Sequence, residues 1–243
     1  MGFWGEVGGL VLPGECAGCG VGRGVLCAGC GEGLSGVGAG VVRPRPGPPG
    51  LPVVHAAAGY AEGVRAVLLA HKERGALPLA RALGGALAAA VLAGGDEGDR
   101  GGLVLVPVPS ARRQVRARGH DPARRIALAA SARLRRAGIP ARVAPVLRQR
   151  RYVADQAGLG ARQRRENLAG ALEVRPGGVR LLGAGRTVLV DDLITTGATL
   201  AEAARALAAA DGCPAGLRAA VVAAPVDSFE RGSATRTEQK SRE

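Results

Sequence analysis

Aromatic side chains are almost missing from this 243-residue chain: two Phe, two Tyr and one Trp make up 2% of it. That scarcity leaves little with which to stack a nucleobase or a single nucleic-acid strand, where each ring–base contact contributes ~1–3 kcal/mol. It also leaves the core to small aliphatic residues. Lysine is as scarce. Only Lys72 and Lys240 occur, so nearly all of the positive charge is arginine. Long hydrophobic runs are absent too. The longest charge-free helical stretch, 82–95, is too short and too glycine-rich to span a bilayer, which needs ~20 apolar residues. The first residues lack a basic segment, and Gly8 and Gly9 interrupt the apolar ones, so no secretory signal is expected. Glu6 stands where a myristoylation signal needs Ser or Thr. The expectation is a cytoplasmic protein without membrane insertion.

Apolar residues make up 47%, enough for one domain of ordinary size and a small module beside it. The formal net charge is +13. Arginine grips phosphates with two parallel hydrogen bonds, so the balance suits an anionic small substrate or nucleic acid. A compositional bias toward Arg, Ala and Gly together gives the same balance, so charge alone does not choose the partner.

Residues 187–200 carry the most information. Positions 187–190 form a short β-branched apolar run, which predicts a buried parallel strand. The adjacent carboxylates Asp191 and Asp192 are expected to end it. A turn of small hydroxyl residues and Gly197 follows, then a helix from near Thr199 through Ala210. A helix start offers free N–H groups and a positive dipole end to a phosphate. Thr195, Thr196 and Thr199 add hydroxyl donors, Ala198 lies between them, and Gly197 lets the backbone approach closely. Asp191 and Asp192 then sit where they accept hydrogen bonds from ribose hydroxyls or hold a hydrated Mg²⁺. The stretch resembles the phosphoribosyl-pyrophosphate (PRPP) loop of type I phosphoribosyltransferases. An acidic strand end and a Thr helix cap account for each residue singly, but less well for their combination and order.

Cys16, Cys19, Cys27 and Cys30 form two C-x-x-C knuckles around a short Gly-rich hairpin. Four thiolates turned to one centre make a closed tetrahedral Zn²⁺ site, structural and not catalytic. Disulfides need an oxidising compartment. A redox C-x-x-C normally opens a helix after a strand, and neither knuckle is expected to. Cys213, the fifth cysteine, reads as a loop thiol.

Elsewhere, 31–52 is rich in Gly and Pro and reads as a semi-extended linker. A strand is expected over 53–60, helices over 62–69 and 77–92, and strands over 103–108, 141–147 and 218–223. Strands alternating with helices imply right-handed parallel crossovers. Lys72 falls between the first two helices, facing a phosphate or solvent. The basic loop 110–121 follows a strand, where open α/β sheets bind anions. Arg116 and Arg118 are its pyrophosphate candidates. His120 is read as a cap of the following turn before a phosphate donor. The Arg-dense segment 148–167 reads as an active-site lid or an exposed amphipathic helix, with Arg165 a candidate for the anion.

Taken in order, the paired knuckles, Val106-Pro-Val-Pro109, Arg118-Gly119, Gln156 with Arg165 and Asn167, and Asp191 through Thr199 resemble the ComF family of competence-associated, phosphoribosyltransferase-like proteins. The resemblance spans Cys16 to about Pro225. It implies a type I phosphoribosyltransferase fold behind a zinc-binding N-terminus, and a role in DNA uptake during natural transformation, with single-stranded DNA and a helicase-type protein as partners. The chain departs from the family at His120 and Asp121, where an aromatic and Asn are usual, and at Glu73, where an aromatic is usual. The expected organisation is a zinc-knuckle module (1–32), a linker (33–52), an α/β phosphoribosyltransferase-like domain (53–226) and a polar tail (227–243). Asp191 and Asp192 are its catalytic candidates. Two functions remain open: a phosphoribosyltransferase acting on PRPP with Mg²⁺, or a PRPP sensor or scaffold that binds single-stranded DNA or a partner protein.

Overall fold

The structure is a computed structural model that describes residues 14–21, 24–95, 102–151, 153, 160–183, 185–210 and 216–230. The chain opens with the cysteine module and its short helix α1 (Ala28–Glu32), then strands β1 (Gly40–Val42) and β2 (Val53–Gly59). Helix α2 (Glu62–Glu73), a 3-10 turn over Leu77–Leu79 and α3 (Ala80–Ala93) lead to β3 (Leu103–Pro107). Helices α4 (Arg112–Arg118) and α5 (Pro122–Arg136) follow, then β4 (Ala141–Val143) and β5 (Leu147–Gln149). Helix α6 (Ala161–Leu168), β6 (Leu172–Val174), β7 (Arg186–Leu193), α7 (Ala198–Ala208) and β8 (Arg218–Ala224) complete the order.

Six strands form one sheet in the order β1-β2-β8-β7-β3-β4. Every neighbouring pair is parallel except the edge pair, where β1 runs antiparallel to β2. Strand β3 is apolar throughout, and so are residues 188–190 of β7 and 219–224 of β8, because a parallel sheet is covered on both faces. One face buries Val188 and Val190 with Val67 and Leu68 of α2, Leu83 and Leu87 of α3 and Ile126 of α5. The other buries Leu189 and Val221 with Leu200, Ala203 and Leu207 of α7 and Leu147 and Leu172 of the β5–β6 hairpin. The result is the α/β class the alternation implied: a mostly parallel sheet with helices on both faces.

Several elements differ from the sequence reading. The strand expected over 141–147 splits. Ala141–Val143 stays in the main sheet, Pro145 has no N–H with which to continue the ladder, and Leu147–Gln149 pairs with β6 instead. The basic loop after β3 is largely the helix α4, ended by Gly119 at φ 73°. Helix α2 runs on to Glu73, so Lys72 stands on its last turn and not in a loop. Pro78 sits in the 3-10 turn that precedes α3.

The Gly/Pro-rich stretch contributes the edge strand β1, and residues after β8 return to that edge. Arg43 N–H donates to Ser228 O at 2.8 Å, Glu230 N–H donates to Val41 O at 2.9 Å, and Arg43 pairs with Glu230. Ala17, Val25 and Leu26 of the cysteine module pack on the α2–α3 face, so the module is seated on the sheet domain. No helix among the described residues is long and apolar enough to cross a membrane. Cys213, Gln156 and residues 231–243 lie outside the described residues.

Candidate functional site

The site is built on the C-terminal end of β7, a central strand. The carboxylates do not end this strand. It continues through Asp191 and Asp192 to Leu193, with Asp191 in register with Val221 of β8. Successive residues of a strand face opposite ways. Asp192 therefore leaves on the side of Val190, toward α2 and α3, and Asp191 on the side of Leu189, toward α7.

Lys72 reaches the first of these faces from the last turn of α2. Its Nζ lies 2.8 Å from Oδ2 of Asp192, which is buried. Burial pulls the ammonium pKa down, but Asp192 and then Asp191 outweigh it, and the net direction is upward. Asp191 is half-buried, and its Oδ1 accepts the Asp192 N–H at 2.8 Å. Its carboxyl is pushed well above the usual carboxylate range, first by burial and then by the charge of Asp192, with Lys72 opposing.

Beyond Leu193 the chain turns into α7. Ile194 is buried and its N–H donates to Ala223 O at 3.1 Å, which anchors the turn to β8. Thr195 is exposed; Thr196 and Thr199 are half-buried. Thr196 Oγ1 accepts the Ala198 N–H at 3.4 Å. Gly197, at φ 76°, is the N-cap of α7. A Cβ on Gly197 would lie 2.9 Å from Leu51 Cδ2 and 3.4 Å from Pro48 Cδ. Glycine is thus required here both by its left-handed backbone and by the Pro-rich segment packed against it. The first-turn N–H groups of α7 open into this turn.

The arginines expected to join these groups do not converge on one point. Arg118, the last residue of α4, forks onto Glu73, with Nε 2.9 Å from Oε2 and Nη2 2.6 Å from Oε1. Arg116 is exposed and lines a different cleft, between the loop after β3, α4 and β5. Arg165 is exposed on α6 and lines a groove between residues 48–52 and α7. Of the lid segment, 154–159 lie outside the described residues, and α6 supplies its helical part.

His120 does cap, but not the helix that follows. Its Nδ1 lies 3.1 Å from Arg118 O and its Nε2 3.1 Å from His71 O, so it ties together the C-terminal ends of α4 and α2. Asp121 caps α5, its Oδ1 accepting the Arg124 N–H at 3.1 Å. Sequence reading also missed the pair on α7. Buried Glu202 holds Arg205 at 2.7 Å and accepts the Leu172 N–H at 3.0 Å, which fixes β6 against α7. The available signal was an acid three residues before an arginine on an otherwise apolar helix face.

The four N-terminal cysteines come together. Their Sγ atoms all lie within 4.8 Å of one another, and Cys19 and Cys27 are 3.7 Å apart. Tetrahedral Zn–S bonds of ~2.3 Å place sulfurs about 3.8 Å apart, so the set fits zinc. The Gly18 and Cys27 N–H groups donate to Cys16 Sγ at 3.4 and 3.3 Å. Such backbone donors, at Cys19 and Cys27 above all, pull the Cys16 thiol down to about 6, while burial first and the neighbouring thiols next push Cys30 up to about 12. A divalent cation at the centre would let four crowded thiols ionise together. Gly18 is tightly placed, because a Cβ there would meet Cys30 Sγ at 2.6 Å. One expectation fails here: Cys27 is the N-cap of α1, so the second knuckle does open a helix, although no strand precedes it among the described residues.

No family model matches the chain, and no curated protein matches it.

Proposed function

We propose that the chain binds PRPP in the manner of a type I phosphoribosyltransferase and transfers its phosphoribosyl group. One observation carries this reading: the acid pair of β7 leads directly into a hydroxyl-rich turn at a left-handed Gly197 and the start of α7, with Lys72 seated on Asp192. The 5′-phosphate takes the first-turn N–H groups of α7 and the hydroxyls of Thr195, Thr196 and Thr199. The ribose hydroxyls donate to Asp191 and Asp192. Lys72, 2.8 Å from Asp192, fixes the carboxylate that accepts them.

Carboxylate oxygens are the hard donors that Mg²⁺ takes, and Asp191 has no ion pair among the described residues. Asp191 and Asp192 would hold a hydrated Mg²⁺, whose charge offsets that of pyrophosphate. In the reaction the C1–O bond of PRPP breaks and its electron pair leaves with pyrophosphate. The acceptor atom supplies a new pair to C1 and loses its proton. The protein contributes positioning and electrostatic stabilisation. Arg118 reaches the pyrophosphate only once Glu73 releases it. Zinc on the four cysteines is structural.

The resemblance to ComF proteins supplies a biological setting of DNA uptake, with single-stranded DNA and a helicase-type partner. A second reading, a PRPP sensor without turnover, draws on the exposed arginines Arg150, Arg162 and Arg165, which suit a DNA backbone. Pyrophosphate release from PRPP and Mg²⁺, screened over purine and pyrimidine bases and phosphorylated acceptors, separates the two. Release with one acceptor identifies a transferase; PRPP binding without release under any acceptor identifies the sensor.

A further inference from the structure

The cleft that Arg116 lines is not accounted for by the PRPP site. It encloses about 390 Å³, the size of a small-metabolite pocket. Five arginines surround it: Arg112, Arg116 and Arg124 from the α4–α5 side, Arg148 and Arg175 from the β5–β6 side. Only Arg148 has an acidic partner, Glu173 at 2.8 Å. The guanidinium groups of the other four make no hydrogen bond or ion pair among the described residues. Asp121 is the single acid among the described lining residues, and its Oδ1 is taken by the Arg124 N–H.

This is an electrostatically unfavourable arrangement for a protein without a ligand. Like charges face one another across a cleft, and Arg124 lies in the first turn of α5, where the helix dipole favours an anion. Ser110 adds a hydroxyl, and no aromatic ring is among the described lining residues. Among its described lining residues the cleft therefore offers charge-assisted donors from two walls and no aromatic ring on which to stack an uncharged base. It also opens beside the acid pair. Val108 N–H donates to Val190 O at 2.9 Å, and Pro107, which lines the cleft, is in register with Val190, the residue before Asp191.

We propose that this cleft binds the second substrate, and that this substrate is a small molecule carrying at least two phosphate-like groups, not a free nucleobase. The word "second" rests on the PRPP reading; the preference for a multiply charged anion rests on the arginines alone.

The test is calorimetric titration of the full zinc-loaded chain with adenosine 3′,5′-bisphosphate and with adenosine, each with and without PRPP and Mg²⁺. The bisphosphate binds to a single site, adenosine binds at least about tenfold more weakly, and salt weakens the former. Arg124→Ala with Arg175→Ala lowers bisphosphate affinity about tenfold or more and leaves PRPP affinity unchanged. Arg124→Lys with Arg175→Lys retains part of the binding, and unchanged melting of both variants shows that the fold is intact. Equal binding of adenosine, no binding of the bisphosphate, or a double alanine variant with parental affinity overturns the proposal. A double alanine variant that loses PRPP to the same extent also overturns it, because the cleft then holds the pyrophosphate of PRPP itself. Bisphosphate binding that persists in a chain unable to bind PRPP leaves the anion cleft standing and removes the PRPP reading.

Discussion

Lys72 and Asp192, 120 residues apart in sequence, meet at 2.8 Å across the junction of α2 and β7. The contact joins the one lysine of the sheet domain to the more buried of the two site carboxylates. Lys72→Met leaves that carboxylate without its cation. Removing one partner of a buried pair is costly, but the ammonium is 35% exposed, so the expected loss is discounted to about 1–2 kcal/mol. Urea denaturation of the variant, and of Lys72→Met with Asp192→Asn, measures it. The second substitution recovers most of the loss; no recovery means that the ion pair was not the cause.

Gly197→Ala carries two penalties. The left-handed backbone costs ~1–2 kcal/mol in any residue with a Cβ, and the new methyl meets Leu51. Adding Leu51→Ala relieves the contact and leaves the backbone term. Equal stability of the Gly197→Ala chain and its parent contradicts this packing.

Metal analysis of the purified chain is expected to find a single Zn²⁺ on Cys16, Cys19, Cys27 and Cys30. Cys16→Ser with Cys27→Ser removes it and lowers Tm, because Ala17, Val25 and Leu26 lose the framework that seats them on the core. Zinc retained by this variant rules out the ligand set.

His71 is buried, and burial first, with His120 adding to it, holds its pKa below 6.5. The unfolded chain then takes up a proton that the folded chain refuses. Stability is full above the unfolded value and falls as pH drops through it toward the folded value, by at most ~1.4 kcal/mol per pH unit for each such histidine. His55 acts in the same direction. Denaturant midpoints between pH 7.5 and 5 in His71→Gln should show a shallower fall than in the parent. An identical slope assigns the effect elsewhere.

Much of the fold was legible because its signals are local. The apolar runs at 53–60, 103–108 and 187–190 and the C-x-x-C spacing need only neighbouring residues to be read. What was missed depends on distant partners. The two carboxylates look like a strand terminus, yet pairing with β8 carries the strand through them. Residues 40–42 look like linker until β2 supplies an edge. Lys72 looks like a loop residue because 70–73 have weak helical patterning, and its role appears only when β7 brings Asp192 to it. Arg116 and Arg118 look equivalent in sequence. A helix places them on different sides, one toward Glu73 and one toward the arginine-lined cleft.

The central claim is that the end of β7 and the start of α7 hold PRPP. Calorimetric titration with PRPP and Mg²⁺, run on the parent and on Asp191→Asn with Asp192→Asn, tests it most directly. The account predicts saturable binding to the parent, dependent on Mg²⁺, and none to the variant, while the variant melts as a folded protein. PRPP binding of equal affinity in both, or no binding to the parent, would contradict it.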